Sequence, residues 1–379
     1  MTTHAPGATT GFRLPRTALA GGFLGFFVSG GTAALYGPSA PVFRELFGVS
    51  EFVSGLPASV HPLAALAGVL AWAAATRHGR GAKLLALGVA LLGVGALGVA
   101  VAPSMVLVLA TGAVLGVGFG LLSNGMNSVY PRDTGPRTPA VVALMHGVFG
   151  LGAVTLPFLL SLTDHRFAFG LVGVVALVAI APMLRTVTPP VPALDLAAAP
   201  PRRHVLAFSL VFGTYVAVEA GTATWLATYV EFRGWDQGAA ARWTSAFWLA
   251  ITGGRFLFAF VVARVRPGRL VAIVLPLAAA CLGLAVVPAL APYALVAAGL
   301  FLAPVFPTAM VWLPRALPTA SGATTGAVLA AITGATISPF LVGLIGSTVG
   351  LAAIPVALAT LGLVAAVTAR LVGRRFGLG

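Results

Sequence analysis

The chain of 379 residues is 59% hydrophobic and only 8% charged, with a mean hydropathy of +1.02. A water-soluble globule and a disordered chain are both excluded by that balance. The net charge of +14 comes from basic residues scattered along the whole sequence without aromatic–basic interleaving, so it reads as orientation in a membrane and not as a nucleic-acid surface.

The charges fall in short gaps between apolar blocks of about 18 to 25 residues, the length a helix needs to cross a hydrocarbon core of roughly 30 Å. In chain order the blocks predict helices at 17–36, 52–75, 82–101, 104–126, 139–162, 168–184, 204–228, 243–263, 269–288, 292–313, 321–345 and 349–369. The N-terminus is polar up to Arg16, and no cleavable signal is expected before the first block. The single cysteine, Cys281, lies within a block and can form no internal disulfide. Twelve spans put both termini on one side. With that side cytoplasmic, 17 of the 22 basic residues are inside, four (Arg44, Arg166, Arg233, Arg242) are outside, and Arg255 lies within a span. The positive-inside rule is met without exception. The expectation is an all-α integral protein of the plasma membrane with both termini cytoplasmic.

The sequence also resembles itself at half its length. Gly152-Ala-Val-Thr-Leu-Pro-Phe-Leu159 returns as Gly334-Ala-Thr-Ile-Ser-Pro-Phe-Leu341, Pro131-Arg132 as Pro314-Arg315, and Gly31-Thr32-Ala33 as Gly221-Thr222-Ala223, at shifts of 182, 183 and 190 residues. A shared order at a near-constant offset indicates two repeats in parallel, with a pathway between them. The expected organisation is a six-helix half at 12–185, a Pro-rich cytoplasmic linker at 186–203, and a second six-helix half at 204–376.

Thr76-Arg77-His78-Gly79-Arg80-Gly81-Ala82-Lys83, matched in the second half by Ala263-Arg264-Val265-Arg266-Pro267-Gly268-Arg269, resembles the loop motif of the major facilitator superfamily. In that family an acid opens the motif; here Thr76 and Ala263 stand in its place. The resemblance implies gating loops carried by Arg77, Gly79, Arg80, Arg264 and Arg266. Further stretches resemble the fucose and glucose–galactose permease-like branch: Asn127, His146 to Gly152 with Pro157, Tyr215 through Glu219 to Trp225, Phe247-Trp248 with Gly254-Arg255, and Pro304-Val305-Phe306-Pro307-Thr308. The resemblance implies alternating access and, in this branch, proton- or sodium-coupled uptake of a sugar. A small solute, a coupling cation and the lipid bilayer are then the expected partners of a monomer. No cofactor, metal or nucleic acid is expected.

Within the spans, Glu219 is the only acid. A carboxylate there faces a water-filled cavity, pairs with a cation, or carries a proton, and it either couples proton entry to movement or ties helices together. Arg255 is its evident partner, yet counting 1.5 Å per residue puts the two about 10 Å apart in depth, which favours water-mediated or state-dependent contact over simple pairing. His146, near the start of the fifth helix, is a candidate proton carrier or a packed hydrogen-bonding ring. Asn124 and Asn127 could hold a hydroxyl-rich solute or bond between helices. Tyr215, Trp225 and Trp248 are candidate substrate residues, and Tyr229 suits an interfacial aromatic belt. Pro304 and Pro307 predict a break in the tenth helix.

Other classes fit poorly. The sequence has no His-Glu-x-x-His, no Gly-x-Ser-x-Gly and no phosphate-binding loop, so a membrane-embedded enzyme lacks its chemistry. A proton-coupled exporter of amphiphilic compounds on the same fold is the alternative transport reading.

Overall fold

Lipid offers no partner to a backbone amide, so a chain this apolar must close its hydrogen bonds within helices. The computed structural model describes residues 14–75, 81–132, 138–186, 202–262, 264–317 and 323–376, and these contain no strand. Twelve helical segments run through them: α1 (Arg16–Phe47), α2 (Glu51–Ala75), α3 (Gly81–Val101), α4 (Met105–Val129), α5 (Thr138–Leu160), α6 (His165–Leu184), α7 (Arg202–Phe232), α8 (Gln237–Val262), α9 (Pro267–Leu284), α10 (Pro288–Ala316), α11 (Ala323–Thr348) and α12 (Leu351–Phe376). Judged over their described residues alone, eleven of them are long and apolar enough to cross a bilayer. The predicted linker and the predicted gating residues Arg77, Gly79 and Arg80 fall, wholly or mostly, outside the described residues.

The side chains bury themselves in two separate cores. One joins residues of α1 to α6, from Leu14 to Met183. The other joins α7 to α12, from Phe208 to Val372, with Ala34 and Ala153 of the first half docked on it. The repeated sequence does the same work in each half. A methyl group added at Gly152 of α5 would strike the Phe27 carbonyl of α1, and one at Gly334 of α11 would strike the Gly213 carbonyl of α7. Gly31 meets Leu156 as Gly221 meets Ser338. The fold is thus twelve transmembrane helices in two pseudo-symmetric six-helix halves.

Several boundaries move from their predicted positions. The first helix continues to Phe47 where the sequence suggested 36, and Pro38 and Pro41 sit inside it. Each proline costs a helix hydrogen bond. Here α1 is pressed against another helix, since a methyl group at Gly37 would strike the Ala223 and Thr224 carbonyls of α7. Tertiary packing therefore holds the segment helical. At the end of the bundle remote from the termini the loops are tight and capped. Ser50, Asp164 and Asp236 accept from the amides of Val53, Phe167 and Ala239 at 3.3, 2.7 and 2.8 Å, giving α2, α6 and α8 defined starts.

Candidate functional site

The halves meet where α1 touches α7 and α8, α2 touches α11, and α5 touches α8. The hydrogen bonds, ion pair and stacked rings that join them lie at the end remote from the termini. Ser245 donates to the Val154 carbonyl at 2.8 Å, and Phe52 meets Phe340 edge-on at 5.1 Å. Arg44 pairs with Glu231 of the opposite half at 3.2 Å. Trp225 is wedged between Gly55 and Gly343 and donates to the Pro339 carbonyl at 2.8 Å. These contacts close the interface at the end remote from the chain ends.

Three predicted coupling candidates converge on the wall of that interface. On α7 the lipid-exposed positions include Leu206 and Leu210; nine residues on, Glu219 lies about 180° around the helix and so faces inward. Tyr215, one turn earlier and 1% exposed, donates its hydroxyl to Glu219 Oε2. Arg255 of α8 lies within interaction range of the same tyrosine. Across the interface, His146 of α5 lies within electrostatic range of Arg255. Leu144 and Leu151 mark the lipid face of α5. His146 is turned away from them, its ring edge-on to Phe26 at 5.7 Å, and it is still exposed, which places open space at the interface.

Glu219 and Arg255 make no ion pair among the described residues; the tyrosine stands between them. Arg255 Nε is buried without a partner. A guanidinium with a free donor beside a carboxyl held by a neutral hydroxyl can bind an acceptor group and respond when the carboxyl gains or loses a proton.

The other candidates are placed less centrally. Trp248 is buried against Phe247 on the inward flank of α8, with Nε1 unpartnered. Trp225 lies in the remote closure. Tyr229, 1% exposed, donates to the Ala285 carbonyl at 2.9 Å and receives Arg233, so it is a buried strut and not a belt residue. Asn127 spends its amide on the Ser123 carbonyl of its own helix at 2.9 Å, while Asn124 is half-buried one turn nearer the middle of α4. Arg264 reaches back to the Phe260 carbonyl at 3.5 Å, and Arg266 precedes α9 as its cap residue. The break in α10 falls at Ala303-Pro304. Pro307 is not a break: it occupies the first turn of the segment Val305–Ala316, where a missing amide costs nothing. The break carries Phe306 against Phe212 and Tyr215, at 5.6 and 6.4 Å.

Two groupings escaped the sequence reading. One is the Arg44–Glu231 pair, visible beforehand only as charges in different outer loops. The other is Tyr36 and His61, whose hydroxyl and Nδ1 lie 3.4 Å apart in the first half, with Phe119 stacked edge-on to the imidazole at 4.9 Å.

Two six-helix halves that meet around Glu219, Tyr215 and Arg255 are the architecture of a membrane transporter and not of an enzyme. Residues 22–333 match the Major Facilitator Superfamily, and the chain belongs to that family. It is 30% identical over 239 residues to the cyanate transport protein of Escherichia coli (strain K12), a match covering 58% of this chain and 59% of that protein's length. Its fold is similar to that of a bacterial homologue of the human lysosomal transporter Spinster in an inward-facing, unoccupied conformation, with a TM-score of 0.78 at 16% identity over 95% of this chain and 97% of that one. A D-xylose–proton symporter gives 0.71 at 14% identity, over 93% and 96% of the two chains.

Proposed function

We propose that the chain takes up a small polar solute by alternating access, driven by protons that bind at Glu219. The carrying observation is the placement of Glu219 in the interior of α7, turned from lipid and held by Tyr215 beside Arg255, whose Nε has no partner. Protonating the carboxyl changes the local charge by one unit where water is scarce, and such a change biases the packing of the two halves. His146, on the facing half, lies within electrostatic range of Arg255.

For the solute, the branch resemblance favours a sugar, and Trp248 and Asn124 remain available to it. A small anion is the second reading, favoured by the free Arg255 donor and by the partial likeness to a cyanate transport protein. The exporter alternative draws no support from the relatives. In proteoliposomes, Glu219→Gln is expected to abolish accumulation of solute against its gradient and to leave counterflow exchange intact. Undiminished accumulation by the variant removes Glu219 from coupling.

A further inference from the structure

A second basic site lies outside the interface, on the lipid-facing side of the second half. Arg269 in the first turn of α9 and Arg370 and Arg374, one turn apart on α12, line a cavity of about 420 Å³ with Ala272 and Ile273. All three arginines are exposed, and none forms an ion pair among the described residues. They stand at the terminal side of the bundle, at the level where α9 begins and α12 ends. Toward the middle of the membrane the same surface turns apolar, with Ile273, Leu277, Val367 and Leu371 exposed.

Orientation in the membrane requires arginines at this level but not their convergence from two helices onto one space. Three guanidinium groups without a carboxylate repel one another, and an anion between them relieves that repulsion. The guanidinium fork matches a phosphate in particular, which it can grip through two parallel hydrogen bonds. The α9 start, where Arg266 offers no side-chain cap, adds the positive end of the helix dipole. The apolar surface below suits acyl chains.

We propose that this groove binds the phosphodiester headgroup of an anionic glycerophospholipid, its chains lying over Ile273 and Leu277. Basic pockets between membrane helices at the interface take such headgroups. A free phosphate ion shares the headgroup's chemistry but leaves the apolar wall uncovered.

Native mass spectrometry of the whole protein in detergent, titrated with phosphatidylglycerol or phosphatidylcholine, separates these cases. Phosphatidylglycerol is expected to bind more tightly. Arg370→Gln/Arg374→Gln is expected to weaken it about thirtyfold, at about fivefold per basic residue. Arg370→Lys/Arg374→Lys, which keeps the charge and loses the fork, is expected to fall between. Since all these side chains are exposed, unchanged melting in phosphatidylcholine checks that the variants fold. Equal binding of the two lipids, or an unaffected glutamine variant, overturns the proposal. So does displacement of phosphatidylglycerol by millimolar inorganic phosphate, which assigns the groove to the free ion.

Discussion

Glu219, Tyr215 and Arg255 show how far single residues can be read from a sequence. A charge inside an apolar block announces itself, because burial without a partner costs several kcal/mol. Tyr215 is different: its spacing puts it on the face of Glu219, but only the folded chain shows its hydroxyl donating to that carboxyl and meeting Arg255. Tyr215→Phe is expected to slow proton-driven uptake about tenfold, the effect of removing one hydrogen bond to a charged group. Counterflow and melting should change little, since one such bond contributes about 1 kcal/mol or less to a membrane bundle. A variant that loses counterflow and stability together marks the tyrosine as purely structural. Trp225 and Tyr229 carry the converse lesson. Aromatic rings near helix ends suit a solute or a lipid belt equally well, and both here are committed to backbone carbonyls of neighbouring helices.

At the level of elements, hydropathy located all twelve helices, and the errors gather where packing overrides local preference. The first helix was expected to end at 36, yet its contact with α7 keeps it helical through Pro38 and Pro41 to Phe47. That extension brings Arg44 to Glu231, with Glu45 and Glu51 at 3.6 and 3.9 Å. The cluster latches α1 to α7 at the closed end. Both partners are partly exposed, 26% and 20%, so the latch contributes about 0.2 to 1 kcal/mol. Arg44→Ala should then raise the population open at that end up to about fivefold. The measurement is labelling of Thr224→Cys by a membrane-impermeant thiol reagent in a Cys281→Ala background. An unaltered labelling rate means that the latch does not govern closure.

For the whole molecule, the two cores stay apart except where Ala34, Ala153 and Val154 pack on the second. Each half therefore buries its own side chains. Residues 1–185 and 186–379, co-expressed as separate polypeptides, are expected to assemble and recover uptake, and neither alone should transport. Failure of the pair to assemble means that the connection between them is needed for folding.

Membrane residence, the number of spans and the twofold repeat were all determined by the sequence alone. Each follows from the cost of placing charge or open backbone in hydrocarbon, a cost paid residue by residue along the chain. Which end of the interface is closed, which polar groups are spent on neighbours, and which stay free for a ligand were decided only by the tertiary structure. Those properties depend on pairs such as Arg44 with Glu231 and Trp225 with Pro339, more than a hundred positions apart. Hydropathy and period describe one helix at a time and are blind to what another helix brings against it.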